Sequence, residues 1–151
     1  MFWRRDTDPH RFLSKSERQE VVAAIQEAER GTSGEVRIHV ERRCKGDPLD
    51  RAGRLFQSLG MARTELRNGV LLYIALVDRR FAILGDEGVH REIGEAGWAE
   101  IRDRIAGRFA SGEYVHGICE AVTRIGAVLK TKFPRQAGDV NELPDDLSLG
   151  E

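Results

Sequence analysis

The chain has 151 residues, a hydrophobic fraction of 40%, a charged fraction of 32% and a formal net charge of -1. A chain of this length suits one domain with one core, and the absence of a basic excess argues against a general nucleic-acid binder. The longest apolar run, Val70 to Val77, has eight residues, against the roughly 18 to 20 needed for a membrane span.

Cys44 and Cys119 are too few for a disulfide framework and lack zinc spacing, so both read as free thiols in a reducing compartment. The first residues carry arginines but no apolar core behind them, unlike a secretory signal. A cytoplasmic location is expected.

Residues 1–13 read as an arm in which Pro9 discourages a helix. Its aromatics Phe2, Trp3 and Phe12 either cover an edge of the domain or dock on a partner. Ser14 and Glu17 match a capping box and predict a helix, with Val21, Val22, Ile25 and Ala28 on one stripe and Gly31 as the stop. Glu35 to Glu41 alternates strictly, placing Val36, Ile38 and Val40 on one face of a strand and Glu35, Arg37, His39 and Glu41 on the other. Cross-strand charge pairing accounts for the polar face as readily as chemistry does.

Asp47, Pro48 and Asp50 announce a second helix through a cap, a proline at the first helical position and an acid in the first turn. Its buried side is Leu49, Ala52, Leu55, Phe56 and Leu59. A helix between two strands implies that Val70–Val77 runs parallel to the first strand through a right-handed crossover. Asp78-Arg79-Arg80 is then a tight turn, and Phe81 to Leu84 returns antiparallel. This return brings Gly85-Asp86-Glu87-Gly88 beside Asn68-Gly69 and Gly34-Glu35.

Val89 to Gly94 reads as one helical turn before a longer helix striped by Trp98, Ile101, Ile105 and Phe109. After Ser111-Gly112-Glu113, a last helix carries Val115, Ile118, Cys119, Val122, Ile125 and Leu129 on one stripe, which makes Cys119 a core residue. Residues 134–151 are acidic and without periodicity, as in a flexible tail. The expected organisation is therefore an arm (1–13), one domain (14–133) and a tail (134–151).

Phosphate-loop, dinucleotide, zinc-protease and nucleophile-elbow motifs are missing, and His10, His39, His90 and His116 share no ligand-like spacing. At the base of the hairpin, Glu35, Glu65, Asn68, Asp86 and Glu87 converge among glycines. Calcium and magnesium take carboxylate, amide and backbone oxygens of this kind. The alternative is a solvated turn whose acids cap the following helix.

Five blocks together resemble the TPM domain family: Thr32-Ser33-Gly34-Glu35-Val36-Arg37-Ile38, Asn68-Gly69-Val70-Leu71-Leu72, Asp78-Arg79-Arg80, Gly85-Asp86-Glu87-Gly88 and Phe109 to Ile118. The resemblance spans about Ser14 to Lys132. It implies a three-layer α/β/α sandwich whose mixed, mostly parallel sheet carries an antiparallel hairpin. The family is associated with divalent metal, calcium in particular, and with acid-phosphatase activity on small phosphomonoesters.

By position, Asp86, Glu87 and Asp78 match acidic places of the family pattern, and Glu113 stands where many members have aspartate. The turn Gly85-Asp86-Glu87-Gly88 departs from the more usual G-x-G-L-E, and the signal peptide and C-terminal anchor of many members are not seen. The expectation is a divalent-metal-binding, non-catalytic assembly or interaction module, soluble and unanchored, with a protein partner, no nucleic acid, and a monomeric or weakly self-associating state. The candidate ligands are Asp86, Glu87, Glu35, Asn68 and Asp78, with Glu113 as a further position. The alternative is a metal-dependent phosphatase-like hydrolase with no identifiable catalytic base.

Overall fold

A computed structural model describes residues 6–135 and 147–150. In chain order these form α1 (Lys15–Glu29), β1 (Glu35–Glu41), α2 (Pro48–Ser58), a short 3-10 turn (Met61–Arg63), β2 (Gly69–Ala75), β3 (Arg80–Gly85), α3 (Glu87–Ala110), α4 (Tyr114–Lys132) and β4 (Leu147–Leu149). The strands lie in the order β3-β2-β1-β4. β1 is parallel to β2 and to β4, and β2 is antiparallel to β3.

The strand pattern explains the layering. Side chains alternate across a sheet, so Val36, Ile38 and Val40 point to the same face as Val70, Leu72 and Ile74, where α1, α3 and α4 close the larger core. Leu71, Tyr73 and Ala75 point to the opposite face and meet Ala52, Leu55 and Phe56 of α2. The result is an α/β/α sandwich with an antiparallel hairpin on a mixed sheet. β2 is buried at every position because both faces are covered, which is why its sequence is unbroken apolar.

The local signals act where they are written. Ser14 Oγ accepts from Glu17 N at 3.1 Å while the Glu17 carboxylate accepts from Ser14 N at 2.9 Å, and Asp47 caps α2 through Asp50 N at 3.2 Å. Gly94 takes φ +73° and breaks α3 into the short turn and longer helix that the pattern predicts.

Three expectations change. β2 ends at Ala75, and the reversal occupies 76–79, with Arg79 at φ +55°. Leu76 and Val77 instead donate to the Glu41 and Arg42 carbonyls, prolonging the contact with β1 rather than with β3. The domain also begins before Ser14: Phe12 and Leu13 are buried in the larger core, and Phe12 meets Tyr114 edge-on at 5.7 Å. Phe2 and Trp3 lie outside the described residues. Finally, Leu147–Leu149, assigned by composition to a flexible tail, pairs in parallel with β1. Its two leucines pack against the larger core, a driving force that a short isolated motif does not announce.

Cys119 is half-buried against that core, and burial, with a smaller contribution from Glu20, pushes its thiol up to about 11. Because the thiolate is the reactive form, Cys119 is expected to react much more slowly with an aromatic disulfide reagent at pH 8 in the folded protein than after denaturation. Equal rates would place it in solvent. Among the described residues no helix is long and apolar enough to cross a membrane.

Candidate functional site

The base of the hairpin assembles as the topology requires. Asp86 N donates to Gly69 O at 2.9 Å, Gly88 N to Arg67 O at 2.9 Å and Glu35 N to Asn68 O at 3.3 Å. These bonds tie the end of β3, the start of β2 and the start of β1 into one polar corner. Glu35, Asn68 and Asp86 are buried there, whereas Glu65 and Glu87 are both exposed at its rim.

Asp86 and Asn68 each have a defined environment. Asp86 caps α3, accepting from Glu87 N at 2.8 Å. Arg67, held at φ +53°, grips the same carboxylate with Nε and Nη2, both at 2.8 Å. The hydrogen bonds and charge of Asp86 in turn raise the Arg67 guanidinium above its ordinary value. Asn68 is held by its backbone N to Thr64 Oγ1 at 3.2 Å and by Nδ2 to Ser33 Oγ at 3.1 Å, while its buried Oδ1 accepts no hydrogen bond.

The donors at this corner are of the class that hard cations take: carboxylate, amide and backbone oxygen. Their present arrangement is different. Arg67 already supplies the positive charge at Asp86, and among the described residues no three His, Cys, Asp or Glu side chains are grouped so as to hold a metal ion. Two candidates lie elsewhere. Asp78 sits at the tip of the hairpin and accepts from Cys44 N at 2.5 Å, and Glu113 precedes α4 and pairs with Arg108 at 2.7 Å.

A second polar constellation occupies the other end of the parallel strands. Glu41 receives Arg51 Nε and Nη2, both at 2.9 Å, and the Tyr73 hydroxyl. His39 lies 3.4 Å from Glu41 through Nε2 and 2.8 Å from Ser148 Oγ through Nδ1, and its ring stacks over Tyr73 at 6.2 Å. Burial would raise the Glu41 carboxyl, but the hydrogen bonds from Arg51 and Tyr73 outweigh it and hold the group at about 2. Burial dominates at His39, lowering its pKa against the opposing pull of Glu41, and burial followed by the Glu41 hydrogen bond raises the Tyr73 hydroxyl.

The cluster is a closed network of satisfied partners that anchors β4 to β1 through Ser148. Alternation marks His39 and Glu41 as a polar face, but Arg51, Tyr73 and Ser148 come from α2, β2 and β4. No spacing in the chain connects them.

Comparison with known proteins agrees with this architecture. A family model described as TPM domain matches residues 7–128. The chain is similar to the BA42 protein of the psychrophilic bacterium Bizionia argentinensis, whose NMR structure has 37% identity and a TM-score of 0.85, covering 92% of this chain and 96% of that one. It is also similar to the N-terminal domain of a protein from P. gingivalis, with 25% identity, a TM-score of 0.67 and 82% of each chain covered. The N-terminal domain of the cg2496 protein from Corynebacterium glutamicum shares the fold at 14% identity and a TM-score of 0.63, covering 82% of this chain and 78% of that one. A search of curated proteins gives no match. With the family model spanning most of the chain and the sandwich, hairpin and block order all in place, this chain belongs to the TPM domain family.

Proposed function

We propose that this protein is a non-catalytic binding module of the TPM class in which the corner formed by Glu35, Asn68 and Asp86 takes a divalent cation, calcium or magnesium. The observation that carries the reading is Asn68 Oδ1, a buried amide oxygen that accepts no hydrogen bond, in a 68–69 segment whose backbone carbonyls bind the amides of two buried acids, Glu35 and Asp86. A buried acceptor left unsatisfied costs about 1–3 kcal/mol, and an oxygen-seeking cation would recover that cost. Asp86 enters such a site only by releasing Arg67, whose side chain is 45% exposed and reaches solvent readily. Cation and guanidinium therefore compete for one carboxylate.

That competition makes the reading testable. Thermal melts of the full chain after chelator treatment should rise on addition of calcium or magnesium, because a ligand that binds only the folded state stabilises it. Arg67→Ala should melt lower in chelator yet show a larger cation-induced rise than the parent protein, since the competing charge is gone. Asp86→Asn should lose the rise. No shift with either ion in both the parent and Arg67→Ala sinks the cation site.

A further inference from the structure

We infer that the outer edge of β3 is a docking groove for an extended peptide segment of a partner protein, one with apolar side chains at alternate positions and a carboxylate at the end that meets Arg80. The backbone pattern leaves this edge open. Residues in an antiparallel pair alternate between exchanging hydrogen bonds and facing away, and the Asp86 N to Gly69 O bond at 2.9 Å fixes which is which. With the register Leu84↔Leu71, Ala82↔Tyr73 and Arg80↔Ala75, the amides and carbonyls of Phe81, Ile83 and Gly85 point away from β2. Among the described residues β3 has a sheet neighbour on one side only. An open edge of this kind is a template for strand addition.

Two walls flank the edge. The edge lies in a groove of about 590 Å³ bounded on one side by Pro48 and Leu49 at the start of α2 and on the other by His90, Trp98 and Arg102 of α3. Leu49 is 51% exposed, one of the two large apolar side chains left open among the described residues, and it lines the groove together with half-buried Leu84. Trp98 crosses Gly85 so closely that a Cβ there would meet the ring at 2.4 Å, and its indole N–H is spent on His90 Nδ1 at 3.1 Å. An added strand would thus place alternate side chains against Leu49 and Leu84 on one face and against the α3 wall on the other. An isolated extended segment brings no walls to clash with those on either side of the edge, whereas the edge of a second copy would arrive with walls of its own.

Charge selects the end. Of the lining acids, Glu95 is paired with Arg102 at 2.8 Å, and Asp47, which caps α2 at 3.2 Å and keeps its charge, is outnumbered by Arg79 and Arg80. Arg79 and Arg80 are exposed at the turn, and Arg80 donates to the Gly46 carbonyl at 3.3 Å. This end of the groove is basic, so it complements a carboxylate.

The probe is a fluorescein-labelled synthetic peptide of alternating valine and threonine that ends in two aspartates, titrated against the full chain in chelator. Chelator separates this site from the cation corner, whose failure leaves the groove unaffected. Binding is expected to be about tenfold tighter than for the same peptide ending in two lysines, which corresponds to about 1.4 kcal/mol. Arg80→Glu should reverse that order. Amide exchange at Phe81, Ile83 and Gly85 should slow on binding, and a peptide N-methylated at alternate residues, unable to complete the ladder, should not bind. Binding that survives N-methylation, or no binding by either peptide, overturns the proposal. Slow exchange at the same amides without peptide, together with a concentration-dependent dimer, also overturns it and assigns the edge to a second copy.

Discussion

Glu41→Gln is expected to lower the free energy of unfolding by about 3 kcal/mol, because it leaves the Arg51 charge, the Tyr73 hydroxyl and the His39 ring facing a group that no longer balances them. Arg51 remains partly solvated, which keeps the figure at the low end for a broken buried pair. The pH dependence provides a sharper signature. The Glu41 carboxyl falls from an ordinary 4.5 to about 2 on folding, so its contribution is complete above pH 4.5 and is lost as pH falls towards 2. After allowance for the solvent that reaches Arg51, that contribution is about 2 kcal/mol.

His39 acts in the same direction at higher pH. Its folded pKa lies below the ordinary 6.5, so the neutral ring is the form the fold prefers, and stability declines as pH drops below 6.5 and the unfolded chain takes up the proton. Denaturant midpoints measured from pH 8 to pH 2 should show both declines in the parent protein. The lower one should be smaller in Glu41→Gln, where the other ion-paired carboxylates such as Glu120 still contribute, and the upper one should be smaller in His39→Gln. A parent curve that stays flat from pH 8 to pH 3 would rule out this account of the cluster.

Gly88→Ala is expected to cost about 3 kcal/mol in steric strain, far more than the roughly 1 kcal/mol that alanine gains over glycine inside a helix. A Cβ at position 88 would meet the Leu66 carbonyl oxygen at 2.4 Å and that of Arg67 at 2.7 Å, and backbone oxygens cannot swing aside as a side chain can. The first turn of α3 would have to lift off the 66–67 segment. Arg67 would move with it, and its grip on Asp86 would loosen. A melting temperature equal to or above the parent's would show that the corner is slack. Gly107→Ala serves as the control: it lies in the same helix with nothing within 4 Å of the added Cβ, and it should be neutral or stabilising.

The glycines of Gly85-Asp86-Glu87-Gly88 therefore serve close approach rather than a loop that wraps an ion. Trp98 lies over Gly85, and the carbonyls of Leu66 and Arg67 abut Gly88. Asp86 and Glu87 begin a helix, as the capping alternative in the sequence suggests, and a cation would have to coexist with that role.

Much of the architecture is written locally. The capping box at Ser14, the Asp47-Pro48 start of α2, the alternation of Glu35 to Glu41 and the apolar run of β2 each report the environment of their own backbone. A helix between two strands followed by a short turn leaves few ways to order them. Hence the convergence of the Glu35, Asn68 and Asp86 backbone at one corner is legible in the sequence. Only the tertiary structure decided what those groups meet. Arg67 reaches Asp86 because its own backbone turns left-handed, and Arg51, Tyr73 and Ser148 reach His39 and Glu41 from separate elements. β4 joins the sheet through leucines that find the larger core across a long separation in the chain. Periodicity records which face of an element is dry, whereas the pairing of charges depends on distances that the chain fixes only once it has folded.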